Sequence, residues 1–206
     1  MPMINGFFTG DIQPTSTVGG CIDIFKNLWP NPEDTIKMID DACNRNASYW
    51  EKAGTIGSGV RQTHRLNKLL MLTHHADISG DPALQNIHNQ FYAMLLATSI
   101  PHATRYDINE SLWHEPYSIL KYEEGDQYKS HYDGGTAIGR AISAICYLND
   151  NFDGGELEFV NFGIKFKPEP GTLILFPSNY AYRHVAHPVT NGTKYALVTW
   201  IRDREM

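Results

Sequence analysis

The chain is poor in cysteine, has no excess of positive charge and lacks any long apolar run. Its three cysteines, Cys21, Cys43 and Cys146, are odd in number and widely spaced. They match neither a disulfide framework nor a zinc knuckle, and they point to a reducing, cytoplasmic setting. Seventeen Lys and Arg against 23 Asp and Glu give a net charge of −6. That balance argues against a general affinity for nucleic acid or for an anionic membrane. No stretch approaches the roughly 18 apolar residues of a membrane span. The opening MPMINGFFTGDIQP lacks the basic flank and apolar run of a signal peptide. Internal repeats and low-complexity segments are absent too. A soluble protein is expected, with neither a nucleic-acid nor a membrane partner.

What is present fits one domain over residues 1–206, at 42% hydrophobic and 19% charged residues. Up to about residue 110 the pattern is partly helical. Pro32-Glu33-Asp34 opens a helix through about Tyr49, with Ile36, Ile39, Ala42 and Cys43 at helical spacing. A second helix runs from Asp81-Pro82 to about Thr98, with Leu84, Ile87, Phe91, Met94 and Leu95 on one stripe. Between them, AGTIGSGVRQTHRLN (53–67) reads as a glycine-rich, locally basic loop running into a strand.

From about residue 111 the text changes to short apolar or alternating runs: HEPYSILKY, AISAICYLN, GELEFVNFGIKFK, GTLILFP and KYALVTWIR. Turn residues separate them. This spacing predicts an all-β sandwich or barrel, so the fold class is mainly β with N-terminal helices, a jelly roll over residues 111–206.

The chemistry centres on His131-Tyr132-Asp133. Residues i and i+2 of a strand share a face about 7 Å apart, and imidazole and carboxylate both bind metal at about 2 Å. A second such pair, His75-Ala76-Asp77, lies in LTHHADISGDP and reads as a solvated loop. A third ligand for the first pair stands in RHVAHPVTNGTKYALVTWIR, which offers His184 and His187. Two histidines and a carboxylate on a β scaffold are the ligand set of non-haem Fe(II) oxygenases. Zinc accepts the same ligands, but its hydrolases add a glutamate base, and H-E-x-x-H is missing.

From about Tyr117 to Arg202 the sequence resembles the prolyl 4-hydroxylase branch of the Fe(II)- and 2-oxoglutarate-dependent dioxygenases. Tyr122, Gly125, Tyr128, His131 and Asp133 stand in that family's Y-x-x-G-x-x-Y-x-x-H-x-D. Tyr147-Leu148-Asn149 and Gly154-Gly155-Glu156 follow, then Gly171 to Phe176 in G-x-L-x-x-F. His184, Pro188, Val189, Gly192 and Lys194 close the pattern.

The resemblance implies a double-stranded β-helix, cupin-like, with His131, Asp133 and His184 on Fe(II). It implies 2-oxoglutarate and O2 as cosubstrates, succinate and CO2 as co-products, and ascorbate as a reductant. Lys194 would pair with the distal carboxylate of 2-oxoglutarate, aided by Tyr147. Tyr122, Tyr128 and Trp200 would line the same pocket, and Arg61 would belong to a substrate-covering loop. The family spacing selects His184 over His187.

Strand parity agrees for the lysine: Lys194 shares a face with Ala196, Val198 and Trp200, where a lone ammonium is costly and a bound carboxylate removes the difficulty. The favoured substrate is a prolyl residue in a peptide or protein. The alternatives are another side chain, a free amino acid or a nucleobase, or a non-catalytic cupin-like metal-binding domain. Halogenases of this kind lack the carboxylate, and Asp133 is present. Trp113-His114-Glu115 reads as structural, His64, His88 and His102 as surface or cap residues, and Tyr132 as packing.

Overall fold

The structure, a computed structural model, describes residues 10–53, 65–108, 112–134 and 139–203, with the backbone alone of 3–4 and 7–8. Arg61 and His64 lie outside the described residues.

The N-terminal part holds more strand than its composition suggests. A hairpin of β1 (Ser16–Val18) and β2 (Ile22–Phe25) comes first. Helix α1 (Pro32–Arg45) follows, with Glu33 and Asp34 in its first turn and Thr35, Ile39, Ala42 and Cys43 buried. It stops four residues short of the expected end. Asn46 turns extended and its side chain accepts from Ser48 N, so a separate 3-10 turn covers Ala47–Tyr49. Strand β3 (Lys68–Leu70) leads into α2 (Leu72–Ser79) and α3 (Pro82–Arg105). His75 and Asp77 therefore sit on a helix, not in a loop, and Asp77 faces solvent.

Asp81 caps α3, accepting from Ala83 N at 2.9 Å and Leu84 N at 3.4 Å. The apolar stripe is buried as expected, yet the helix continues seven residues beyond Thr98, through Pro101. A proline there removes the donor that Ala97 O would have used. Ile12 N supplies a replacement at 2.9 Å. Beyond the proline, Asp23 of β2 anchors the last turn. Its carboxylate accepts from Arg105 Nη1 at 2.8 Å and Tyr106 OH at 3.1 Å, and meets His102 Nδ1 at 2.9 Å. His102 is thus a buried tether, not a surface or cap residue.

The C-terminal part supplies β4 (Ser118–Tyr122), β5 (Gln127–His131), β6 (Arg140–Tyr147), β7 (Leu157–Phe159), β8 (Ile164–Phe166), β9 (Leu173–Pro177), β10 (His184–Ala186) and β11 (Lys194–Arg202). Two larger antiparallel sheets form, beside a two-stranded pairing of Asp153–Gly154 with Val189–Asn191. The major one runs β1-β2-β9-β6-β11-β4-β3 and ends on Glu51–Lys52; the minor one runs β8-β7-β10-β5 and ends on Arg65–Leu66.

The period-2 pattern decides which side chains go where. On β11, Tyr195, Leu197 and Ile201 pack under the helices with Ile39, Leu84, Phe91 and Met94. Ala196 and Val198 face the space between the sheets, with Tyr147, Phe159 and Phe176 or with Leu120 and Tyr122. Strands from both sides of residue 110 share the major sheet, so the helical and β parts expected from sequence are interleaved.

Candidate metal and cosubstrate site

The space between the sheets opens into a cavity lined by His131, Asp133 and His184 and by Tyr122, Tyr128, Tyr147, Lys194 and Trp200. All eight cavity residues expected from the sequence meet there.

The minor sheet brings in the histidines. His131 at the end of β5 and His184 at the start of β10 are directly opposed in register. Asp133 comes off the strand beyond His131. One donor atom from each of the three lies within 4.8 Å of the others, the single such group of three among the described residues. His131 Nε2 is 3.5 Å from Asp133 Oδ1, and His184 Nε2 is 3.7 Å from Oδ2. Donors each at about 2.1 Å from one ion lie about 3 to 4 Å apart, so the three side chains fit a shared metal.

The imidazoles are oriented for this role. His131 Nδ1 lies 2.7 Å from Lys129 O and His184 Nδ1 lies 3.1 Å from Tyr182 O. An N–H donated to each carbonyl from Nδ1 leaves the lone pair on Nε2, facing Asp133. Burial pushes His184 down to about 4, against the pull of Asp133, so it is neutral at physiological pH, as a ligand must be. Burial pushes the Asp133 carboxyl upward, but His184, His131 and the Ser143 hydroxyl outweigh it and hold it well below the usual range. Tyr128 stacks on His131 with ring centres 3.4 Å apart, and Arg65 lies over the Tyr128 ring.

His187 takes another course. Its Nε2 lies 2.5 Å from Glu158 Oε2, away from the cluster. Tyr132 turns outward as well, but it is exposed beneath the Arg183 guanidinium and is not packed.

The major sheet supplies the opposite wall. Lys194 is only 2% exposed, directly opposite Tyr122 across the β11–β4 ladder. Its Nζ lies 5.0 Å from the Tyr147 ring centre, 5.2 Å from that of Tyr122 and 5.9 Å from that of Phe152. It donates to Gly155 O at 2.6 Å. That carbonyl is turned inward by Gly154 and Gly155, both left-handed at φ 69° and 65°, a conformation that favours glycine. Burial pulls the Lys194 ammonium down to about 7, partly opposed by Glu156. A buried ammonium at a cavity wall is a receptor for a carboxylate.

Trp200 lies six residues along β11 from Lys194, roughly 20 Å away, and pairs with Ser143 of β6. The structure therefore places it at the opposite end of the cavity from the lysine. Arg140 stacks on its ring at 3.7 Å, grips Glu115 through Nε and Nη2, and donates to Asp133 O at 3.2 Å. Arg202 joins the same carboxylate at 2.8 Å. Glu115 is thus a structural anchor, and His114 contacts Tyr117 OH, in line with the sequence reading.

Residues 117–202 match the family model of the 2OG-Fe(II) oxygenase superfamily. Over those residues, under half of its length, the chain is similar to that superfamily. A probable prolyl 4-hydroxylase 9 of Arabidopsis thaliana is 34% identical over 44% of this chain and 42% of its own length. A PKHD-type hydroxylase of a Synechococcus strain is 33% identical over 41% of each chain. The chain spans under half the length of these curated relatives.

Among solved structures, a Trichoplax adhaerens prolyl hydroxylase in complex with a hypoxia inducible factor peptide superposes with TM-score 0.71. It is 18% identical, over 90% of this chain and 84% of that one. A Pseudomonas putida prolyl-4-hydroxylase gives TM-score 0.60 at 21% identity, over 88% of this chain and 92% of that one. These likenesses establish the fold, a double-stranded β-helix. No described helix is long and apolar enough to cross a membrane.

Proposed function

We propose that this chain is a 2-oxoglutarate-dependent dioxygenase that hydroxylates a C–H bond, with a prolyl residue of a peptide or protein as substrate and 4-hydroxyproline as product. The observation that carries the reading is the buried Lys194 in the same cavity as the His131–Asp133–His184 cluster. A zinc hydrolase or a plain metal-binding cupin has no use for that ammonium.

In this reading His131, Asp133 and His184 hold Fe(II) and leave it open positions for 2-oxoglutarate and O2. The metal and cosubstrates together supply the oxidation, with succinate and CO2 as co-products and ascorbate as a reductant. Lys194 takes the distal carboxylate. Tyr122 and Tyr147 confine it, Tyr128 braces His131, and Trp200 with Arg140 borders the other end. Arg61, outside the described residues, is proposed to cover the substrate. The prolyl choice is supported by the named activities of the relatives and by the peptide-bound neighbour. The same site suits oxidation of another side chain, a free amino acid or a nucleobase.

The test is turnover with Fe(II), 2-oxoglutarate and a library of proline-containing peptides, followed by mass spectrometry. One added oxygen on proline, with an equivalent of succinate, is expected. Succinate formed without any peptide oxidation overturns the prolyl assignment; no 2-oxoglutarate consumption overturns the dioxygenase reading.

A further inference from the structure

Asp133 differs from its two partners in how it is held. The histidines lie in the minor-sheet ladder, whereas the carboxylate stands beyond the end of β5, and contacts from the major sheet reach across to it. Ser143 Oγ on β6 donates to Asp133 Oδ2 at 2.7 Å, and Ser143 Oγ lies 2.8 Å from Ser178 Oγ, just after β9. Both serines are 1% exposed. The backbone reinforces the link, since Gly134 N donates to Ser178 O at 2.7 Å.

Proton bookkeeping orients the pair. An ionised carboxylate only accepts, so the single hydroxyl proton of Ser143 goes to Asp133. Ser143 must then accept from Ser178, and the relay runs Ser178 to Ser143 to Asp133. Each donor polarises the next, and the last bond is charge-assisted. One carboxylate oxygen is thereby tied to the major sheet, while Oδ1 faces His131 Nε2.

We propose that Ser143, backed by Ser178, is a positioning residue that fixes the Asp133 carboxylate for metal binding. This rests on the metal reading of the triad. Ser143 is a small polar residue on an inward face whose next residues of the same parity are Ile145 and Tyr147. Apolar packing would be satisfied by alanine.

The experiment is titration of metal-free full-length protein with Co(II), read by visible absorption, with thermal unfolding of the metal-free protein alongside. Outer partners of metal ligands are worth about 10- to 100-fold in affinity. Ser143→Ala should lose that much and alter the absorption bands. Ser143→Thr, which keeps the hydroxyl, should restore both, and Ser178→Ala should lose less than Ser143→Ala. Wild-type affinity in Ser143→Ala, no rescue by Ser143→Thr, or wild-type affinity in Ser178→Ala overturns the proposal. Should Ser143→Ala fail to fold, the Ser178→Ala result decides. Asp133→Ala separates the two levels: if it binds Co(II) like the wild type, the triad itself is not the metal site.

Discussion

The two walls of the cavity are built differently. The minor sheet that presents His131 and His184 is made of strands of two to five residues, with a register irregularity between Tyr128 and His131. The major sheet that presents Lys194 and Tyr147 holds strands of eight and nine residues, paired without a break from Ile142 to Tyr147. Helices cover its outer face. Three candidate ligands need correct placement at one point, and the short strands do this with help: nearby backbone carbonyls for the rings and, from the major sheet, serines for the carboxylate. A buried ammonium needs a wall that keeps water out over its whole length, and only the doubly covered sheet provides it. The metal end and the cosubstrate end should therefore fail independently.

The largest effect is expected from His184→Ala. Two remaining ligands hold the ion poorly, so Co(II) titration should show binding greatly weakened and turnover abolished. Retained binding would move the site away from the minor-sheet wall.

Lys194→Ala should break the other wall alone. It would leave the distal carboxylate of 2-oxoglutarate buried and unpaired, at about 3–5 kcal/mol, or about two to three and a half decades in affinity. Co(II) affinity should not change. An unaltered 2-oxoglutarate Km would remove Lys194 from the site, and a parallel loss of metal binding would erase the distinction between the walls.

A pH series sharpens the same point. Unfolded, Lys194 titrates near its ordinary 10.5; folded and without ligand, it titrates near 7. Below about pH 7 the charge is present in both states and its desolvation cost is felt in full. Between about 7 and 10.5 the unfolded chain holds the extra proton, so this group makes ligand-free stability rise with pH. Binding a carboxylate must restore that proton, and 2-oxoglutarate affinity should fall above about pH 7 by up to about tenfold per unit. Calorimetry in buffers of different ionisation enthalpy would detect the proton uptake. Affinity independent of pH from 7 to 9 would show that the lysine stays charged without ligand.

The smallest effect belongs to His187→Ala. Its partner is Glu158 at the surface, so metal affinity and turnover should stay within a few-fold of wild type. A loss like that of His184→Ala would reverse the choice between the two histidines.

Much of this molecule was legible in its text. Strand parity placed Lys194, Ala196, Val198 and Trp200 on one face, and family spacing separated His184 from His187. Both are local properties, since alternation along a strand follows from backbone geometry alone. The same alternation marked Ser143 as a polar residue on Tyr147's side of β6, a signal that was there to be read. What lay beyond reach depends on partners distant in sequence. Helix α3 runs through Pro101 because Ile12 takes over the stranded carbonyl, and His102 is buried because Asp23 waits for it. β1 and β2 are too short to declare themselves without β9 as a neighbour. Spacing marked Asp133 as a candidate ligand, but the grip of Ser143 and Ser178 on its carboxylate exists only once two sheets close over it. Covalent proximity determined which residues share a face, and tertiary packing decided which buried charges and donors find one another.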